Sequence, residues 1–204
     1  IRDRHQQLVE LDKRREAIIA SIREQGFLTP ELENQLIAAT VLSDLEDLYL
    51  PYKPKRKTRA TIAKSKGLEP LARLLMAQHN IDVEAQAKVY IDPAKEVNTV
   101  EDALAGARDI IAEWISESKD SRARMRHLFT REALINSKPV KGKELEGIKY
   151  QSWFDWNEPL SKAPSHRILA LFRGEAEGFL KVTVAPDELK AIDILTKIFV
   201  KGTN

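Results

Sequence analysis

Up to about residue 132 the apolar residues of this chain recur at helical spacing, and the runs open on caps and close on glycine or proline. That punctuation limits the fold more than any other feature. Leu8, Leu11, Ile18 and Ile22 fit one face of a first helix, and Gly26 is a natural stop for it. Thr29-Pro30 reads as an N-cap followed by proline at the first helical position, with Leu32, Leu36 and Ile37 as the buried stripe. Ser43-Asp44-Leu45-Glu46 has the capping-box pattern and predicts a short helix to about Leu50. Pro51 and Pro54 end it and hold the next stretch extended. Short helices follow near 61–66, 70–78 and 83–90. Thr99 with Asp102 opens a longer one whose inner side carries Leu104, Ala107, Ile111, Trp114 and Ile115. A further helix, capped by Asp120 or Ser121, places Met125, Leu128 and Phe129 in the core.

After residue 133 the period changes. Leu134–Val140 has no helical repeat and reads as extended, and Phe179–Val184 alternates as a strand does. A lone strand is not stable, so the second must pair with the first or with a partner outside the chain. Tyr150, Trp153, Phe154 and Trp156 form an aromatic cluster expected to be buried. Ser165 is a cap for a helix through Phe172 that stops at Gly174, and residues 187–200 form the last helix. The expectation is an all-α, multihelical chain with a small β element near its C-terminal end. A helical region over 1–136 precedes a mixed part over 137–204.

The chain has 204 residues, 43% of them hydrophobic, which is enough to bury a core without metals or disulfides. It has no cysteine, which removes disulfides and thiolate metal sites and suits a cytoplasmic location. No apolar run approaches the roughly 20 residues that span a bilayer, so no membrane role is expected. The chain opens on Ile1 within a helical pattern and stops just past an apolar stretch, as a piece of a longer protein would.

No catalytic constellation stands out. His5, His79, His127 and His166 lie far apart, and no phosphate loop, dinucleotide fingerprint or nucleophile elbow occurs among the eight glycines. The carboxylates lie among lysines and arginines on polar helix faces, and a metal-dependent nuclease needs two or three on strand-like flanks. No catalytic residue, metal ligand or cofactor is therefore assigned.

Charge is informative only locally, because the net charge is +2. Residues 31–50 hold five acids and no base, whereas residues 52–66 hold seven bases and no acid. Tyr52, Lys53, Lys55, Arg56, Lys57, Arg59 and Lys64 form a proline-braced cationic stretch suited to phosphate contact, with the tyrosine able to stack on a base. The competing reading is a basic loop that pairs with acids of the same chain or of a protein partner. A second basic region supplies Arg122, Arg126, Lys138, Lys141 and Lys143, with Arg122 and Arg126 on one helix face.

The same residues carry a family resemblance. The run Asp47-Leu-Tyr-Leu-Pro-Tyr-Lys-Pro-Lys-Arg-Lys-Thr-Arg-Ala-Thr-Ile-Ala63, continued by Gly67-Leu-Glu-Pro-Leu71, resembles the N-terminal region of bacterial Tex proteins (transcription accessory proteins). Val140-Lys-Gly-Lys-Glu144, Phe154-Asp-Trp-Asn-Glu-Pro159 and Pro164-Ser-His-Arg-Ile-Leu-Ala-Leu-Phe-Arg-Gly174 follow in the family's order. The resemblance implies a helical region with a helix-turn-helix-like part, ahead of an RNase H-like domain, helix-hairpin-helix elements and an RNA-binding OB-fold. It implies RNA or DNA as partner, with the clearest contacts in the C-terminal domain, and no catalytic residue in the matching region. The expected function is an N-terminal scaffold with an auxiliary basic surface, in a transcription-associated nucleic-acid-binding protein. The rivals are an adaptor that docks the transcription machinery or other Tex domains, and a part of a nuclease completed by a further domain.

Overall fold

A computed structural model describes residues 2–54 and 57–202 of the chain. Helix α1 spans Arg2–Glu24. It ends at Gly26, whose φ of +76° lets the Phe27 amide fold back onto the Ile22 carbonyl at 3.2 Å. Helix α2 is Pro30–Ala38, with the Thr29 hydroxyl accepting from the Leu32 amide as its cap. Helix α3 is Leu42–Tyr49. Its N-cap is Val41, with no side-chain bond, so the expected Ser43 capping box does not form. Leu11, Ile18, Ile22, Leu32, Leu36, Leu45 and Leu48 close a first core. Ile37 is 58% exposed, because a step of one residue from Leu36 turns it about 100° around α2.

Helices α4 (Arg59–Ser65), α5 (Glu69–Ala77), α6 (Val83–Lys88) and α7 (Val100–Glu117) build a second core. Thr99 and Asp102 form the expected capping box on α7, and Thr58 and Thr61 form another on α4. The buried face of α7 is Ala103, Ala107 and Ile110, with Leu104, Ile111 and Trp114 packed beside it. Small residues set the distance here. A Cβ on Gly106 would lie 2.3 Å from a Leu68 methyl and 3.3 Å from the Ala63 methyl. Helix α8 is Lys119–Glu132. Leu128 is buried as expected, whereas Phe129 is more than a third exposed.

The chain divides into two compact units, Ile1–Arg122 and Ala123–Asn204, with the boundary inside α8. The lead-in to the first strand thus belongs to the second unit, where the Ala133 carbonyl accepts from the Leu160 amide at 2.8 Å. That unit holds strands β1 (Leu134–Pro139) and β2 (Trp156–Pro159), helix α9 (Ser165–Ala176), strand β3 (Leu180–Ala185) and helix α10 (Glu188–Phe199). The sheet order is β2-β1-β3, antiparallel throughout, so β1 is the partner that β3 required. Ile135, Tyr150, Leu171 and Leu180 are buried between the sheet, α9 and the aromatic segment, with Trp153, Phe154 and Trp156 packed around them. Ser137, also buried, donates its hydroxyl to the Trp153 carbonyl. Helix α9 continues two residues past Gly174, which was expected to end it. Gly174 is there because a Cβ would meet Leu180 at 2.6 Å and Tyr150 at 3.1 Å. The chain is mainly helical with a small β element, as the sequence led us to expect.

Candidate nucleic-acid interface

The basic run begins in the turn that closes α3. The Tyr52 and Lys53 amides both donate to the Tyr49 carbonyl, at 2.9 and 3.0 Å, and Pro54 follows. Tyr49 itself is buried, its hydroxyl 3.2 Å from that of Ser21. Tyr52 is half-buried against the first core, its ring 6.1 Å from that of Phe27. Lys53, Pro54, Lys57, Thr58 and Arg59 are exposed. Lys55 and Arg56, both expected phosphate contacts, lie outside the described residues.

Opposite the run stands an acidic stripe that sequence reading did not single out. Asp109, Glu113 and Glu117 follow one another at intervals of four on α7 and so share a face. With Leu50, Lys53, Pro54, Thr58 and Arg59 they line a groove of about 730 Å³. Lys64 is joined to Glu113 at 2.7 Å, and both groups are largely covered. The Thr58 hydroxyl donates to the other Glu113 oxygen at 3.2 Å. Arg59 reaches Asp109 only at 3.5 Å and keeps 86% of its side chain in solvent. Lys66 bonds the Glu96 carbonyl and carboxylate at 3.1 and 3.3 Å. The run therefore sorts by depth. Lys64 and Lys66 tie helices together, while Lys53, Lys57 and Arg59 form an outer cationic rim.

Electrostatics beside the rim follow the same pairing. Arg14 holds the Glu46 carboxyl below the usual glutamate range through hydrogen bonds of 2.5 and 3.2 Å, with Lys53 adding a weaker pull. The Arg14 guanidinium rises in turn and lies 5.5 Å from the centre of the Tyr49 ring.

In the second basic group Arg122 donates to Asp47 at 2.5 Å, and Asp47 is only 3% exposed, so within the first unit this cation ties residue 122 to α3. Arg126, four residues on, is half-buried. Lys138 is exposed on β1, and Lys141 and Lys143 are exposed on either side of Gly142, whose φ is +82°. Among the described residues no group of three or more histidines, aspartates and glutamates is placed to hold a metal ion.

Residues 78–199 match the protein family described as Tex central region-like. Protein tex of Bordetella pertussis is 49% identical over 168 residues, 82% of this chain and 21% of that protein. Transcriptional accessory protein Tex of Neisseria gonorrhoeae is 43% identical over 188 residues, 91% of this chain and 25% of that protein. S1 RNA-binding domain-containing protein 1 of Homo sapiens is 29% identical over 197 residues, 90% of this chain and 19% of that protein. The chain thus spans about a fifth to a quarter of the length of these curated relatives.

Proposed function

This chain belongs to the Tex family, as a Tex central region-like segment, and from that premise we propose that it is a non-catalytic scaffold region of a transcription-associated, RNA-binding protein of the cytoplasm. The relatives' names, transcriptional accessory protein and S1 RNA-binding domain-containing protein, support this reading. Among the described residues no helix is long and apolar enough to cross a membrane. The observation that carries it is the exposed rim formed by Lys53, in the turn after α3, and by Lys57 and Arg59 at the start of α4. Cations held outward at such spacing release counterions when they meet a polyphosphate. The rim is an auxiliary contact. It adds to a grip that other domains of the longer protein supply.

The test is the salt dependence of binding to single-stranded RNA. Replacing Lys53, Lys57 and Arg59 together by alanine lowers the slope of log K against log salt by about 2, at roughly 0.7 per lost contact. Lys64→Ala leaves the slope unchanged and costs stability instead, because Lys64 serves Glu113. No binding by the intact chain at low salt sinks the reading for this segment. Metal-dependent cleavage by the chain, abolished by a point substitution within it, sinks the non-catalytic part.

The acidic wall of the groove favours a second reading, an adaptor that docks a protein segment of mixed charge. Asp109→Asn with Glu117→Gln separates the two. RNA binding tightens when the acids lose their charge, whereas docking of a mixed-charge segment weakens.

A further inference from the structure

The register of the small sheet places two lysines directly opposite each other. Lys138 on β1 pairs with Lys181 on β3, and both are exposed. Residues paired across an antiparallel ladder share a face, and like charges facing each other there destabilise it. Neither lysine has a salt bridge among the described residues. On the opposite face of the sheet, Ile135 and Ser137 are buried. Within the three strands the lysine face also carries Leu134, Asn136, Asn157, Pro159, Thr183 and Ala185 and no acid; exposed Asp155, just ahead of β2, is the acid that the β1–β2 register brings next to Lys138.

Two features extend the positive end of this face. The ladder continues one step past β1, where the Val140 amide bonds the Phe179 carbonyl at 2.9 Å, and the Lys141-Gly142-Lys143 turn follows immediately. The Lys143 ammonium lies over Gly178, 3.5 Å from where a methyl on that glycine would sit. Three further acids near this end are engaged elsewhere. Glu144 accepts from the Gly142 amide at 3.2 Å, Glu175 from the Val182 amide at 3.0 Å, and Glu177 binds Lys149 at 2.5 Å. Next to the lysine pair, Asn157, Asn136 and Thr183 stand in one row across the three strands.

We propose that this open sheet face is a second nucleic-acid contact, which takes the phosphates of single-stranded RNA on Lys138 and Lys181 and its ribose hydroxyls on the Asn157–Asn136–Thr183 row. The proposal rests on the RNA-binding reading above and locates a contact for it in the second unit. A like-charged pair costs stability in the free chain, and a bound phosphate cancels the repulsion. The face carries no aromatic residue, so it offers no stacking platform and reads backbone and sugar rather than base. Amide and hydroxyl side chains that bond a 2′-hydroxyl distinguish RNA from DNA.

The experiment measures binding of the intact chain to a labelled single-stranded oligouridine and to its deoxy counterpart across a salt series. Lys138→Ala with Lys181→Ala lowers the salt slope for RNA by about 1.4, again at roughly 0.7 per contact. Lys181→Glu gives an opposite-charge pair with Lys138. It binds RNA more weakly yet melts at a higher temperature, which loss of folding cannot produce. If Lys181→Glu melts lower, or binds as the parent does, the proposal fails. If the parent binds RNA and only the Lys53, Lys57 and Arg59 variant changes the slope, the sheet contact is refuted while the RNA-binding reading stands. If the parent binds no RNA, both fall. Equal binding of the deoxy strand overturns the role given to the polar row.

Discussion

Replacing Gly106 with alanine tests the packing that holds the basic run against its acidic stripe. Gly106 lies inside α7, away from both ends, and its backbone is not left-handed. Helix propensity alone therefore favours alanine by about 1 kcal/mol. The close approach of α7 to its neighbours works against it. The added methyl would lie 2.3 Å from a Leu68 methyl and 3.3 Å from Ala63, and Leu68 is 1% exposed, with nowhere to go. Overpacking of this kind costs typically 1–3 kcal/mol, and so severe an overlap belongs near the top of that range. The net result is a loss of about 1–2 kcal/mol, or a fall of roughly 3–6 °C in melting temperature for a chain of this size. Calorimetry gives the shift, and hydrogen exchange shows whether the loosened amides lie on α4 and α7. Leu68→Ala is destabilising by itself, but it removes the obstructing methyls, so the double variant costs less than the sum of the two singles. A Gly106→Ala chain that melts at or above the parent temperature refutes the reasoning, because propensity would then have outweighed packing.

Three further outcomes follow from the same geometry. Gly174→Ala destabilises the second unit, since its methyl would meet Leu180 at 2.6 Å; a gain in melting temperature would contradict the account of why α9 tolerates a glycine. Arg122→Ala lowers stability by roughly 1–3 kcal/mol, because the buried Asp47 carboxylate loses a charged hydrogen-bond donor. Calorimetry showing no change would return Arg122 to the solvent-facing role expected from sequence. The Arg14–Glu46 pair contributes a few tenths to about 1 kcal/mol, discounted because both groups are more than a third exposed. The Glu46 pKa is depressed in the folded chain, so this contribution is present above the ordinary glutamate value of about 4.3 and is lost as pH falls through the lower folded value. The melting-temperature gap between parent and Glu46→Gln should therefore be constant near neutrality and close in acid; a gap independent of pH would rule the linkage out.

What could be read in advance was whatever is fixed by a few adjacent residues. The Thr29-Pro30 start, the Gly26 stop and the Thr99–Asp102 box all formed. Ser43 misled because its pattern is only permissive, and the chain enters α3 two residues earlier at Val41. Strand β2 went unseen because Trp156–Pro159 is only four residues long and ends on proline, so nothing local tells a loop from a strand paired with β1. Gly174 misled in the other direction. As a stop signal glycine acts through its own backbone, but here it acts through a Leu180 side chain brought back by β3.

Charge was the property least legible along the chain, for a physical reason. A lysine's partner is set by which helix face comes to meet it, and that depends on packing many residues away. Lys64 and Arg59 look alike in the basic run, yet Glu113, 49 residues on, engages one while the other stays in solvent. Arg122 and Lys138 look alike in the second region, yet Asp47, 75 residues back, claims one and Lys181 repels the other. The acidic stripe at Asp109, Glu113 and Glu117 was present as a spacing of four, but nothing local says that α4 lies across it. Cations that meet carboxylates hold this scaffold together. The informative ones for function are those left without a salt bridge, and the register that sets Lys138 against Lys181 isolates such a pair.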